Sequence, residues 1–67
     1  MKLYGLTKNG RKLARTREDT TPEMKVIRYI FDCPNKTATE DELDVAVEGG
    51  HLIARRLVRD QLVVELN

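Results

Sequence analysis

Residues 39–66 read TEDELDVAVEGGHLIARRLVRDQLVVEL, and the architecture of the chain turns on this stretch. Thr39-Glu40-Asp41-Glu42 has the Thr-x-x-Glu spacing of a capping box. In that motif a threonine hydroxyl and a glutamate three residues on satisfy free backbone donors at the start of a helix. The spacing predicts a helix over 39–48 with Leu43, Ala46 and Val47 on one side. Gly49-Gly50 ends it. A further helix over 51–60, HLIARRLVRD, is expected to turn Leu52, Ile53, Leu57 and Val58 inward. QLVVEL, rich in Val and Leu, then reads as a strand.

Upstream, Thr21-Pro22-Glu23 is a helix start: a threonine cap, a proline at the first helical position and an acid at the positive end of the helix dipole. MKVIRYIFDC follows, with Val26, Ile27, Ile30 and Phe31 spaced for one apolar face. Pro34 stops this helix, because the residue before a proline is pushed out of the α region. Asn35-Lys36-Thr37 reads as a loop, and residues 18–21 as a polar connection. Residues 8–17, KNGRKLARTR, read as a short helix or helical turn holding Leu13 and Ala14, with Thr7 available as its cap. MKLYGLT reads as a short strand weakened at Gly5, followed by the turn signal Asn9-Gly10. Two short strands cannot stand alone, so they are expected to pair antiparallel near Leu3 and Val64 and to lie on the helices. The expectation is a single α+β domain over 1–67, mostly helical. Its order is strand-helix-helix-helix-helix-strand, with a two-stranded antiparallel sheet joining the termini.

Sixty-seven residues give a small core. Cys33 is the only cysteine and His51 the only histidine, so neither an internal disulfide nor a Cys/His zinc cluster can form. No metal or cofactor is expected, and dimerisation is the remaining stabiliser open to so short a chain. Cys33, in the run Ile30-Phe31-Asp32-Cys33, reads as a packing thiol. No stretch has the length of a membrane span, and MKLYGLTKNGRK has no apolar leader. With the lack of disulfides, this points to a cytoplasmic protein.

The net charge of +1 hides a segregation. Residues 1–17 carry Lys2, Lys8, Arg11, Lys12, Arg15 and Arg17 and no acid. Residues 18–48 are strongly acidic, and helix 51–60 is basic through Arg55, Arg56 and Arg59. Such a distribution suits a protein that presents one face to phosphates, or the ordinary solvated faces of a small domain. An enzyme is not expected. Acid–base or nucleophilic catalysis needs convergent groups with a positioned base, and one His and one Cys supply no such set. The carboxylates Glu40, Asp41, Glu42 and Asp44 read as helix N-terminal charge.

Two segments resemble winged helix-turn-helix regulators. Thr39–Leu43 opens a helix like the scaffold helix of that family. Leu57–Leu66, LVRDQLVVEL, resembles its junction between recognition helix and outgoing wing strand, with Gln61 in the slot usually held by glycine. Tyr4–Arg15, YGLTKNGRKLAR, resembles the return wing strand running into a C-terminal helix. The return strand here precedes the outgoing one, so the resemblance implies a domain wired as a circular permutation, with both termini where the wing tip would be. It further implies a transcriptional regulator that binds double-stranded DNA, with helix 51–60 in the major groove. Arg55 would read bases, since arginine bonds guanine bidentately. Arg56, Arg59, Lys8, Arg11, Lys12 and Arg15 would hold phosphates, which position without specifying. His51 would line or cap the helix start, or touch DNA. A homodimer through the helix around Leu13 is the family's usual way of doubling contacts. The rival expectation is a protein–protein interaction module, in which the acidic helix 39–48 meets a basic partner. A nucleic-acid-associated protein without sequence preference is a third.

Overall fold

The computed structural model describes residues 2–16 and 21–66. The polar connection expected at 18–21 falls mostly outside them, as does Arg17.

The chain opens with strand β1 (Leu3–Leu6) and turns at once into helix α1 (Lys8–Thr16). Thr7 joins the two. Its hydroxyl accepts from the Gly10 N–H at 3.1 Å, and its carbonyl accepts from the Arg11 N–H at 3.0 Å. Asn9-Gly10 is therefore not a turn but the first turn of α1. Gly10 is needed there because a Cβ would lie 2.0 Å from the Leu62 carbonyl oxygen. Helix α2 (Pro22–Asp32) begins as its sequence predicts, with the Thr21 hydroxyl accepting from the Met24 N–H at 3.3 Å. It buries Met24, Val26, Ile27 and Ile30 and forms the hub on which α1 and the sheet pack. Arg28 donates to the Ala14 carbonyl at 3.3 Å, tying α2 to α1.

After Pro34 the chain makes a short 3-10 turn (Pro34–Lys36), with Asn35 and Lys36 in the left-handed region at φ 60° and 53°. Strand β2 (Thr37–Thr39) follows. This corrects the expectation of a loop at 35–37 and of a two-stranded sheet. The sheet has three strands in the order β2-β1, then β3 (Val63–Glu65), all antiparallel. Thr-Ala-Thr is too short and too polar to show alternation. What makes it a strand is long-range pairing, with Ala38 fully buried opposite Tyr4. At the other edge Gly5 faces Val64 and the Leu66 N–H donates to the Leu3 carbonyl at 2.8 Å, so the chain ends pair as their patterns require.

Helix α3 (Glu40–Ala46) starts on the expected capping box: the Thr39 hydroxyl accepts from the Glu42 N–H at 3.2 Å, and Glu42 Oε1 accepts from the Thr39 N–H at 2.9 Å. The helix is shorter than 39–48. Leu43 is buried and Val47 half-buried, but Ala46 is exposed, because the backbone turns extended at Val47. Gly49, at φ 69°, makes the turn into helix α4 (Gly50–Arg59). The inner stripe of α4 is Gly50, Ala54 and Leu57, with Ile53 and Val58 half-buried beside it. Leu52, expected inward, is 55% exposed. It lies two residues, ~200° of helix rotation, from Ala54, the centre of the buried face. Among the described residues no helix is long and apolar enough to cross a membrane.

Candidate nucleic-acid interface

The outward side of α4 carries Leu52, Arg55, Arg56 and Arg59, which border an open depression of about 340 Å³. Their i, i+3, i+4, i+7 spacing puts all four on one stripe, opposite Ala54 and Leu57. The helix is the second member of a tight helix-turn-helix pair with α3, closed by Gly49-Gly50. Gly50 allows the approach: a Cβ there would lie 2.2 Å from the Leu43 carbonyl oxygen.

His51 faces the turn. Its backbone N–H donates to Asp44 Oδ1 at 3.0 Å, and its Nδ1 lies 2.7 Å from the same oxygen. The carboxylate only accepts, so Nδ1 carries the proton. The backbone bond first and the ring second hold the Asp44 carboxyl below its usual pKa. His51 thus lines the start of α4, and the Asp44 carboxylate that accepts from it, not the imidazole, satisfies the helix N–H and pins α4 to α3.

The three arginines differ in their surroundings. Arg55 Nη2 lies 3.5 Å from Glu40 Oε2, and the fully buried Tyr4 donates its phenol O–H to that oxygen at 3.4 Å. The Arg55 pKa is raised, by the Tyr4 phenol first, with desolvation next opposing the rise and the Glu40 charge adding to it. Arg56 Nη1 pairs more loosely with Glu23 Oε2 of α2, at 3.7 Å. Arg59 has no acidic partner among the described residues. Glu40 and Glu23 therefore flank the stripe on opposite sides. Neither was legible as a neighbour of α4 in the sequence, because 15 and 33 residues separate them from their arginines.

Lys8, Arg11, Lys12 and Arg15 are all exposed on the outer side of α1 and, with Thr16, border a second depression of about 540 Å³. Gly10 and Ala14 take its inner side. None of the four cations has an acidic partner among the described residues. The two basic groups share no lining residue, so they form separate patches. The start of α1 is nonetheless docked on the junction after α4: the Thr7 hydroxyl donates to the Gln61 carbonyl at 2.6 Å, and the Thr7 N–H to the Leu62 carbonyl at 3.2 Å. Gln61, in the slot compared with glycine, has φ 62°, the left-handed conformation that glycine favours. Lys2, at the open end of the strand pair, is bound to Glu65 at 3.1 Å.

The chain matches no family model, and comparison with curated proteins and with solved structures finds no significant similarity.

Proposed function

We propose that this chain is a winged-helix-type domain, wired as a circular permutation, that binds double-stranded DNA with α4 in the major groove and serves as a cytoplasmic transcriptional regulator. The observation that carries the reading is the arginine stripe of α4, presented outward by a helix-turn-helix pair whose inner faces are buried. The adjacency of β3 and β1 supports the permuted wiring, since the outgoing and return strands of the resemblance lie side by side. The left-handed Gln61 supports it as well. In this reading Arg55 contacts base edges, while Arg56 and Arg59 hold phosphates. Lys8, Arg11, Lys12 and Arg15 bind phosphate from α1, and a four-cation face with no acidic partner among the described residues gains from an anionic partner. Leu13, half-buried at the α1–core boundary, is the place for a homodimer contact. The reading involves no catalytic step, metal or cofactor.

One observation favours the rival reading of a protein-interaction module. Val45 of α3 is 89% exposed, with the exposed acids Asp41, Glu42 and Glu48 on the same short element and its turn. An apolar contact ringed by acids suits a basic protein partner.

An amide NMR titration of labelled protein with a mixed-sequence duplex, at low and moderate salt, tests the choice. The DNA reading expects shifts along 51–60 and 8–16 that weaken steeply with salt, as counterion release requires. It also expects Arg59→Ala to weaken binding across all sequences. Absence of shifts at low salt sinks it in favour of the α3 surface.

A further inference from the structure

We propose that Glu40, anchored by Tyr4, is a specificity-determining positioning residue for Arg55. This rests on the DNA-binding reading above and assigns a role to a carboxylate that the reading itself leaves idle.

An arginine on an exposed helix face has a long side chain and many phosphates within reach. Left to itself it takes the nearest one, and such contacts carry no sequence information. Arg55 is not left to itself. Glu40 Oε2 lies 3.5 Å from its Nη2, and the same oxygen accepts the Tyr4 phenol at 3.4 Å. Tyr4 and the Glu40 backbone are firmly placed, while the Arg55 side chain is 55% exposed. Tyr4 sits on the central strand with no exposed surface, between Ala38 and Glu65. Glu40 is the first residue of α3, set by the Thr39–Glu42 capping box. The Glu40 side chain is 26% exposed, against 39% for Glu23 beside Arg56, and Glu23 has no buried anchor. Among the described residues, then, only Arg55 of the three arginines is held by a carboxylate that is itself hydrogen-bonded to the core.

Two consequences follow from charge alone. The Glu40 carboxylate repels backbone phosphate from its side of α4, so Arg55 is directed toward the groove floor. Its charge is also internally compensated, so Arg55 contributes little to counterion release. Removing the Glu40 charge frees Arg55 to bind phosphate. Non-specific affinity then rises while discrimination falls.

The test uses the full chain and a mixed-sequence duplex across about 50 to 200 mM salt, together with selection from a randomised duplex pool. Glu40→Gln should bind the mixed duplex roughly three- to tenfold tighter, with a slope of log K against log salt steeper by about 0.9, one added phosphate contact. Its selected pool should be less enriched at one or two positions than that of the native chain. Tyr4→Phe keeps the buried ring and removes only the hydroxyl, and should shift both quantities the same way by less. Added to Arg55→Ala, Glu40→Gln should leave the slope and the selected pool unchanged, and should gain much less affinity, only what the lost Glu40 repulsion supplies. A purely structural role for Glu40 would weaken binding instead of strengthening it. An unchanged or shallower slope in Glu40→Gln, or a steeper slope that persists without Arg55, overturns the inference while leaving DNA binding intact. A native chain that binds no duplex overturns both.

Discussion

Asp44 Oδ1 receives two hydrogen bonds from His51, one from the backbone N–H at 3.0 Å and one from the ring at 2.7 Å. This one oxygen joins the last full turn of α3 to the first turn of α4 across Gly49-Gly50. The bonds depress the Asp44 carboxyl pKa, chiefly through the backbone N–H. A carboxyl depressed in the folded state contributes stability above its unfolded pKa, near 3.9, and loses it as pH falls through the folded value. Asp44→Asn should therefore lower the urea midpoint at about pH 5, and the gap to the native chain should narrow as pH falls below the unfolded value. A gap that widens in acid would show that the bonds to His51 do not favour the charged carboxylate.

The two glycines beneath that oxygen should respond differently to alanine. At Gly50 the new Cβ meets the Leu43 carbonyl oxygen at 2.2 Å, a backbone atom that cannot step aside without parting α3 from α4. At Gly49 a Cβ meets nothing within 4 Å, and only the φ of 69° is unfavourable. Thermal unfolding should show Gly50→Ala losing about 3 kcal/mol and Gly49→Ala about 1 kcal/mol. Equal losses would contradict the close helix approach. Gly10→Ala, against the Leu62 carbonyl, belongs with Gly50→Ala.

Gln61 carries left-handed strain at φ 62° in the junction between α4 and β3. Glycine relieves that strain but loses more chain entropy on folding. Gln61→Gly should raise stability by about 0.5 to 1 kcal/mol by urea denaturation. The Thr7–Gln61 bond survives, because it uses the backbone carbonyl. A clear loss of stability would assign the Gln61 side chain a role that its exposed position does not suggest.

Burial pushes the Cys33 thiol pKa up, outweighing the hydrogen bond to Tyr29 that lowers it. The thiolate is the reactive form. Iodoacetamide near neutral pH should therefore modify Cys33 more slowly than a cysteine in an unstructured peptide, with the difference vanishing in urea. A faster reaction in the folded chain would place the thiol in a different environment. Because the folded pKa is raised, the thiol's contribution to stability is present at neutral pH and is lost as pH rises through that value.

Local chemistry made much of the architecture legible. Thr21, Thr39 and Thr7 each cap the helix that follows them, Pro34 ends α2, and the terminal strands pair, whereas α3 ends already at Val47 and Gly49-Gly50 instead opens α4. The misread positions share a cause. β2 has one apolar residue and exists only because β1 runs beside it. Asn9-Gly10 carries a turn signal but lies in the first turn of α1, begun by the Thr7 cap, with Gly10 fitting against the Leu62 carbonyl. Leu52 fits an apolar periodicity yet faces out, because Gly50 and Ala54 let α4 pack closely on α3 and α2 through small residues.

The candidate interface divides along the same line. The basic character of 8–15 and 51–59 and the outward i, i+3, i+4 spacing of the arginines follow from the order of residues along each helix, because a helix converts spacing into a face. The environment of each arginine does not. Glu40 beside Arg55, Glu23 beside Arg56 and Tyr4 beneath Glu40 meet only after α2, α3, α4 and β1 have packed. Electrostatic interaction depends on distance through space and on the solvent each group keeps, and a sequence encodes neither until the chain has closed on itself.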